Sequence, residues 1–180
     1  FYFNLLTEIP EDTFAGASQL QILELSSNPL EGNLPGGLFR PLTQLSALYI
    51  SNCEIIDINP AWFWTLGNLR TLMMYWNRIR MLSADVFTPL VNLTTIDIGG
   101  NYLNHEIPGG IFRNQPNLLV LYMDDNVIGS LNPQWIQNQT QLLTFVIDFN
   151  LIEDIPAGFF ANANAIVTVS FWANNLKTLN

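Results

Sequence analysis

Apolar and polar positions along this chain repeat a phrase rather than a single helical or strand period. From Leu20 the apolar residues fall at the first, fourth and sixth positions (Leu20, Leu23, Leu25), an asparagine follows at the ninth (Asn28) and a leucine at the eleventh (Leu30). The alternation through the fourth and sixth positions predicts a short strand with one face inward. The phrase restarts at Leu45, Leu69, Leu93, Leu118, Leu142 and Ile166, every 24 or 25 residues. One such unit cannot bury its apolar side alone. Copies must stack on each other, their strands pairing side by side as a parallel sheet.

At the ninth position the chain turns into the core and leaves backbone donors and acceptors buried. An asparagine side chain offers both a donor and an acceptor. Asn28, Asn77, Asn101, Asn126, Asn150 and Asn174 hold this position, Cys53 takes it once, and Asn4 fits a truncated first copy with Leu6 and Ile9 behind it. These residues are expected to form a structural ladder, with Cys53 a buried, inert thiol rather than a nucleophile. A second apolar line, Phe14, Phe39, Phe63, Phe87, Phe112, Ile136 and Phe160, follows the ladder by ten or eleven residues. It is expected to pack as a continuous aromatic stack on the side opposite the sheet.

The phrase L-x-x-L-x-L-x-x-N/C-x-L resembles the leucine-rich repeat family, over the whole chain. The spacing Pro10 to Phe14 and Pro156 to Phe160 is similar to the typical extracellular class of 24-residue repeats. The resemblance implies an α/β solenoid: a horseshoe with a concave parallel β-sheet and an irregular or 3-10 convex side. It implies one domain over 1–180, with a partial repeat 1–19, repeats starting at 20, 45, 69, 93, 118 and 142, and a partial repeat 166–180. A longer period lies over this one. Leu34–Arg40 (LPGGLFR) returns as Ile107–Arg113 (IPGGIFR), 73 residues later. Ile58–Trp62 (INPAW) returns as Leu131–Trp135 (LNPQW), and Glu24 and Tyr49 are matched by Asp97 and Tyr122. Residues 20–92 and 93–165 thus read as two three-repeat blocks, the product of a duplication. The cysteine-rich terminal caps that extracellular family members carry are absent, so 1–180 is expected to be a stretch of a longer solenoid, or else to self-associate through its uncapped ends.

Composition narrows the functional classes. The chain is 49% hydrophobic and 12% charged, which fits a folded core. No apolar run is long enough to span a bilayer, and the first residues show no signal-peptide pattern. The net charge is −9 with six lysines and arginines in all. That argues against nucleic acid as a partner. A single cysteine excludes an internal disulfide or a multi-cysteine metal site. His105, the one histidine, lies beside Glu106 in an expected convex loop, away from any strand-borne nucleophile, so no enzyme activity and no cofactor are expected.

Binding chemistry is expected on the concave face, at the second, third, fifth, seventh and eighth positions of each repeat. Aromatic and thioether groups there are Tyr49, Met73, Tyr75, Trp76, Tyr122, Phe149 and Trp172; the carboxylates are Asp97, Asp124, Asp125 and Asp148. Gly99 and Gly100 are expected to leave a notch between Tyr75/Trp76 and Asp124/Asp125, suited to a cationic side chain, a sugar or Ca²⁺, with Asp124 and Asp148 as the candidate Ca²⁺ pair. Two N-x-T sequons occur, at Asn92 and Asn138. Asn68 and Asn117 match Asn92 in repeat position, which marks that asparagine as structural and Asn138 as the better glycan candidate. The resulting expectation is a non-enzymatic extracellular or cell-surface recognition module, of receptor or adhesion type, binding a protein or glycan partner. The alternative is a structural repeat of a surface filament or extracellular matrix.

Overall fold

The computed structural model describes residues 1–32 and 34–179. Seven three-residue strands form one parallel sheet: β1 (Ile22–Glu24), β2 (Ala47–Tyr49), β3 (Thr71–Met73), β4 (Thr95–Asp97), β5 (Val120–Tyr122), β6 (Thr144–Val146) and β8 (Thr168–Ser170). Each pairs with the next at matched repeat positions, as in Leu23 with Leu48 and Ile96 with Leu121. The central residue of β1 through β6 is buried between two flanking residues that are half-buried or exposed, apart from the small, buried Ala47. A second, two-stranded sheet pairs β7 (Asp154–Ile155) with β9 (Thr178–Leu179); the repeat phrase did not predict it. Helix is confined, among the described residues, to two 3-10 turns, Pro60–Phe63 and Pro133–Trp135. The chain is thus a solenoid with a concave parallel sheet and an irregular convex side.

The asparagine ladder ties turn to turn. Asn126 donates to its own turn at Met123 and to the previous turn at Ile98, while its Oδ1 accepts from Leu103 N at 2.9 Å. Asn101, Asn150 and Asn174 repeat this arrangement one turn apart. Cys53 completes half of it. Its thiol donates to Leu25 O and Ser51 O, both at 3.3 Å, and burial pushes it up to about 11. A thiol has no carbonyl oxygen to offer, so Leu30 N closes on Asn28 O instead. Asn4 departs from the expected buried ladder: it is exposed, and its amide reaches only Phe1 O and Tyr2 O of its own turn.

The residue before each ladder position has positive φ: Phe3, Ser27, Asn52, Trp76, Gly100, Asp125, Phe149 and Ala173. Every turn therefore enters the core through one left-handed residue, and in only one turn is that residue a glycine. Among the described residues two other non-glycine residues have positive φ: Glu54, next to Cys53, and Glu31, whose N–H donates to Cys53 O.

The expected aromatic stack is not continuous. Phe63, Phe87 and Phe112 follow one another at 6.2 and 5.9 Å between ring centroids, but Phe39 reaches Phe63 through Trp62. Ile136 then interrupts the line with an aliphatic side chain. Beyond it Phe145, Phe159, Phe160 and Phe171 form a separate cluster, in which Phe159 is buried more deeply than Phe160.

The repeated Pro-Gly-Gly phrase has a packing reason. Trp62 Nε1 donates to Leu34 O at 3.2 Å, and Trp135 Nε1 to Ile107 O at 3.4 Å. Asn59 and Asn132 cap the two 3-10 turns by accepting from Ala61 N and Gln134 N. A Cβ on Gly36 would stand 2.9 Å from Asn59 Nδ2, and one on Gly109 would stand 2.8 Å from Asn132 Nδ2. Pro-Gly-Gly in one turn and Asn-Pro-x-Trp in the next are two halves of one clasp.

Candidate functional site

The parallel register lines up equivalent residues across the concave face, so its chemistry follows from the fifth, seventh and eighth positions of each turn. Two aromatic pairs project there. Tyr75 and Trp76 meet edge to face at 5.6 Å, Phe149 and Trp172 at 4.5 Å. Trp76, Phe149 and Trp172 are 63%, 49% and 66% exposed. Tyr49, Met73 and Tyr122, expected alongside them, are half-buried within the sheet surface.

The carboxylates lie between the two pairs and differ in freedom. Asp97 turns down onto Gly99 N at 2.9 Å, and burial, with Asp124 adding to it, lifts its carboxyl to about 6 against the pull of that N–H. Asp124 is raised by burial first and then by the neighbouring charges of Asp148 and Asp125. Asp148 accepts from Trp172 N at 2.6 Å. Asp125 is exposed and outward.

The expected notch at Gly99 and Gly100 is filled. A Cβ on Gly100 would fall 2.0 Å from Cδ1 of Trp76, so the indole lies over that glycine. A Cβ on Gly99 would meet Asp124 Oδ1 at 3.0 Å. The glycines admit neighbouring side chains rather than leaving a cleft. Among the described residues no group of three or more His, Cys, Asp or Glu is placed to hold a metal ion. Asp124 and Asp148 stand two positions beyond the paired Tyr122 and Val146, at matched places on adjacent turns, and contribute two carboxylates of the six to eight oxygens a Ca²⁺ shell takes. His105 and Glu106 are exposed in a loop outside the strands.

Two buried polar residues escaped the sequence reading. Gln115 and Gln139 are fully buried and donate from Nε2 to Phe87 O (2.7 Å) and Phe112 O (2.6 Å). They occupy the position that Leu42, Leu66 and Leu90 hold in earlier turns, so their matched placement was the available signal.

With this geometry in place, the comparisons are direct. The family model for "Leucine rich repeat" matches residues 2–55 and 43–103, and the chain belongs to that family. Keratocan of Mus musculus is 28% identical over 178 residues, 98% of this chain and 48% of keratocan. The structure of the Toll–Spatzle complex of Drosophila contains a chain with a TM-score of 0.89 and 26% identity, covering 98% of this chain and 25% of that one. A chain from the TLR13–ssRNA13 complex shares the fold, with a TM-score of 0.83, 22% identity and coverage of 98% and 31%. The chain spans about half the length of the curated relatives it matches. Together with its relatives it is an extracellular or cell-surface protein.

Proposed function

We propose that this chain is a non-enzymatic recognition module whose concave face binds a protein or glycan partner. The observation that carries this reading is the exposure of two aromatic pairs on a rigid sheet face, with carboxylates between them. Large exposed aromatics bury much area at low entropic cost, and they concentrate at interfaces. Trp76 lies over Gly100 of the next turn and Phe149 packs against Trp172 of the next, so both pairs are braced across turns before a partner arrives. The relation to a Toll chain solved with Spatzle supports a protein as the first class to test. The net charge of −9, with one of six cations, Arg70, on a strand-leading position, supports a partner other than nucleic acid. Turnover is disfavoured because the face is open to water and, among the described residues, offers no nucleophile paired with a base.

The test is a binding screen of the chain against an array of individually displayed secreted and cell-surface proteins and a glycan array. Binders are then retested with Trp76→Ala, Asp125→Asn and the convex control Trp64→Ala. The reading requires loss with the first two substitutions and retention with the third. Binders that lose affinity only with Trp64→Ala would place recognition on the convex side and overturn it.

A further inference from the structure

The two N-x-T sequons stand in different structural states. In Asn92-Leu93-Thr94 both polar side chains are engaged in holding adjacent turns. Asn92 Nδ2 donates to Gly67 O at 2.8 Å and Thr94 Oγ1 to Arg70 O at 2.9 Å. Asn68 and Asn117 make the same bond to the turn before, at Thr43 O and Val91 O. Asn92 is exposed and the middle residue, Leu93, fully buried, so it is these bonds and not burial that mark the site.

Asn138-Gln139-Thr140 shares the buried middle residue and the exposed asparagine but, among the described residues, leaves the outer side chains unengaged. It occupies the turn between the 3-10 segment Pro133–Trp135 and β6. Gln139 is the anchored member: fully buried, it donates to Phe112 O and accepts from Asn138 N at 3.2 Å. Fixing the central residue inward turns its two neighbours outward. Asn138 and Thr140 are both exposed, and neither side chain makes a hydrogen bond within the described residues.

We infer that Asn138 carries an N-linked glycan and that Asn92 does not. The inference rests on the extracellular or cell-surface location of the chain, which takes it past the lipid-pyrophosphate-linked oligosaccharide donor and its transferase. In the transfer the sugar C1–O bond to pyrophosphate breaks and a C1–Nδ2 bond forms. Nδ2 gives up one proton, and the lipid pyrophosphate departs. The sequon supplies the acceptor amide and the threonine hydroxyl two residues on, and the folded structure must then seat the sugar. At residues 138–140 a sugar displaces no side-chain hydrogen bond among the described residues; at 92–94 it would displace the bond from Asn92 Nδ2 to Gly67 O. A glycan on Asn138 stands on the side of the 3-10 turns and leaves the sheet face uncovered.

The test uses the intact protein secreted by a eukaryotic host. N-glycans are released enzymatically in heavy-oxygen water, and the peptides are mapped by mass spectrometry. The expected result is labelled aspartate at 138 and unmodified asparagine at 92. Asn138→Gln then removes one glycan's mass with the melting temperature unchanged, whereas Asn92→Gln leaves the glycan and lowers the melting temperature. A glycan at Asn92 with Asn138 bare, equal occupancy of the two, or a protein without N-glycans would each overturn the inference.

Discussion

Single side chains show how the same residue type is put to different uses. Asp97, Asp124, Asp125 and Asp148 look equivalent in sequence, yet one is exposed while Asp97 bends onto a backbone N–H and has its carboxyl lifted to about 6. A carboxyl raised on folding stabilises the fold where it is protonated, and that contribution fades as pH rises from its ordinary value of 3.8 through about 6. Asp97→Asn keeps the oxygen that accepts from Gly99 N and removes the charge. We expect the variant to melt above the wild type at pH 7, with the gap closing as pH falls to about 4; thermal melts across that range decide it. A gap that stays constant over the range would mean Asp97 does not titrate there. None of this was legible in the sequence, which shows the residue type but not the direction a side chain takes. The filled notch has the same origin: two glycines read as empty space, whereas the Trp76 indole and the Asp124 carboxylate occupy it.

Elements of this fold are short, and their identity comes from neighbours. A three-residue strand has no stability of its own. The strands were nevertheless legible, because L-x-x-L-x-L-x-x-N specifies at once an inward side chain, a turn and the bond that closes it. The clasp between turns was legible as a repeated phrase but not as a contact. Its tryptophans lie outside the leucine pattern, and only co-occurrence at a spacing of 73 connected them with the glycines. Trp62→Phe removes the donor to Leu34 O and leaves that carbonyl without the indole partner, at a cost of about 1–3 kcal/mol. Trp135→Phe should cost a similar amount, since its contact to Ile107 O has the same form. Chemical denaturation of both variants measures this; a neutral Trp62→Phe would reduce the clasp to apolar packing. Gln115 and Gln139 show the opposite failure of pattern reading: polar residues standing on an apolar line, buried and bonded to backbone carbonyls.

Across the whole molecule, stability is shared between each turn and its two neighbours. Position along the solenoid should therefore decide what a ladder asparagine is worth. Asn126→Ala orphans buried groups on two turns and should cost about 1–3 kcal/mol, while Asn4→Ala, exposed and bonded only within its own turn, should cost close to nothing. Equal losses in urea unfolding would mean the ladder works within a turn and not between turns. The same neighbour-only bonding sets a rule for how such a chain can change in length. Each clasp has one half in one turn and the other in the next, and the pair recurs after 73 residues. Inserting a single turn between the halves would part Leu34 from Trp62. Inserting a full block between residues 92 and 93 would leave every donor facing an acceptor it already knows. Turns should accordingly be gained or lost outside the clasps, so each Pro-Gly-Gly turn and the Asn-Pro-x-Trp turn after it are inherited as one unit.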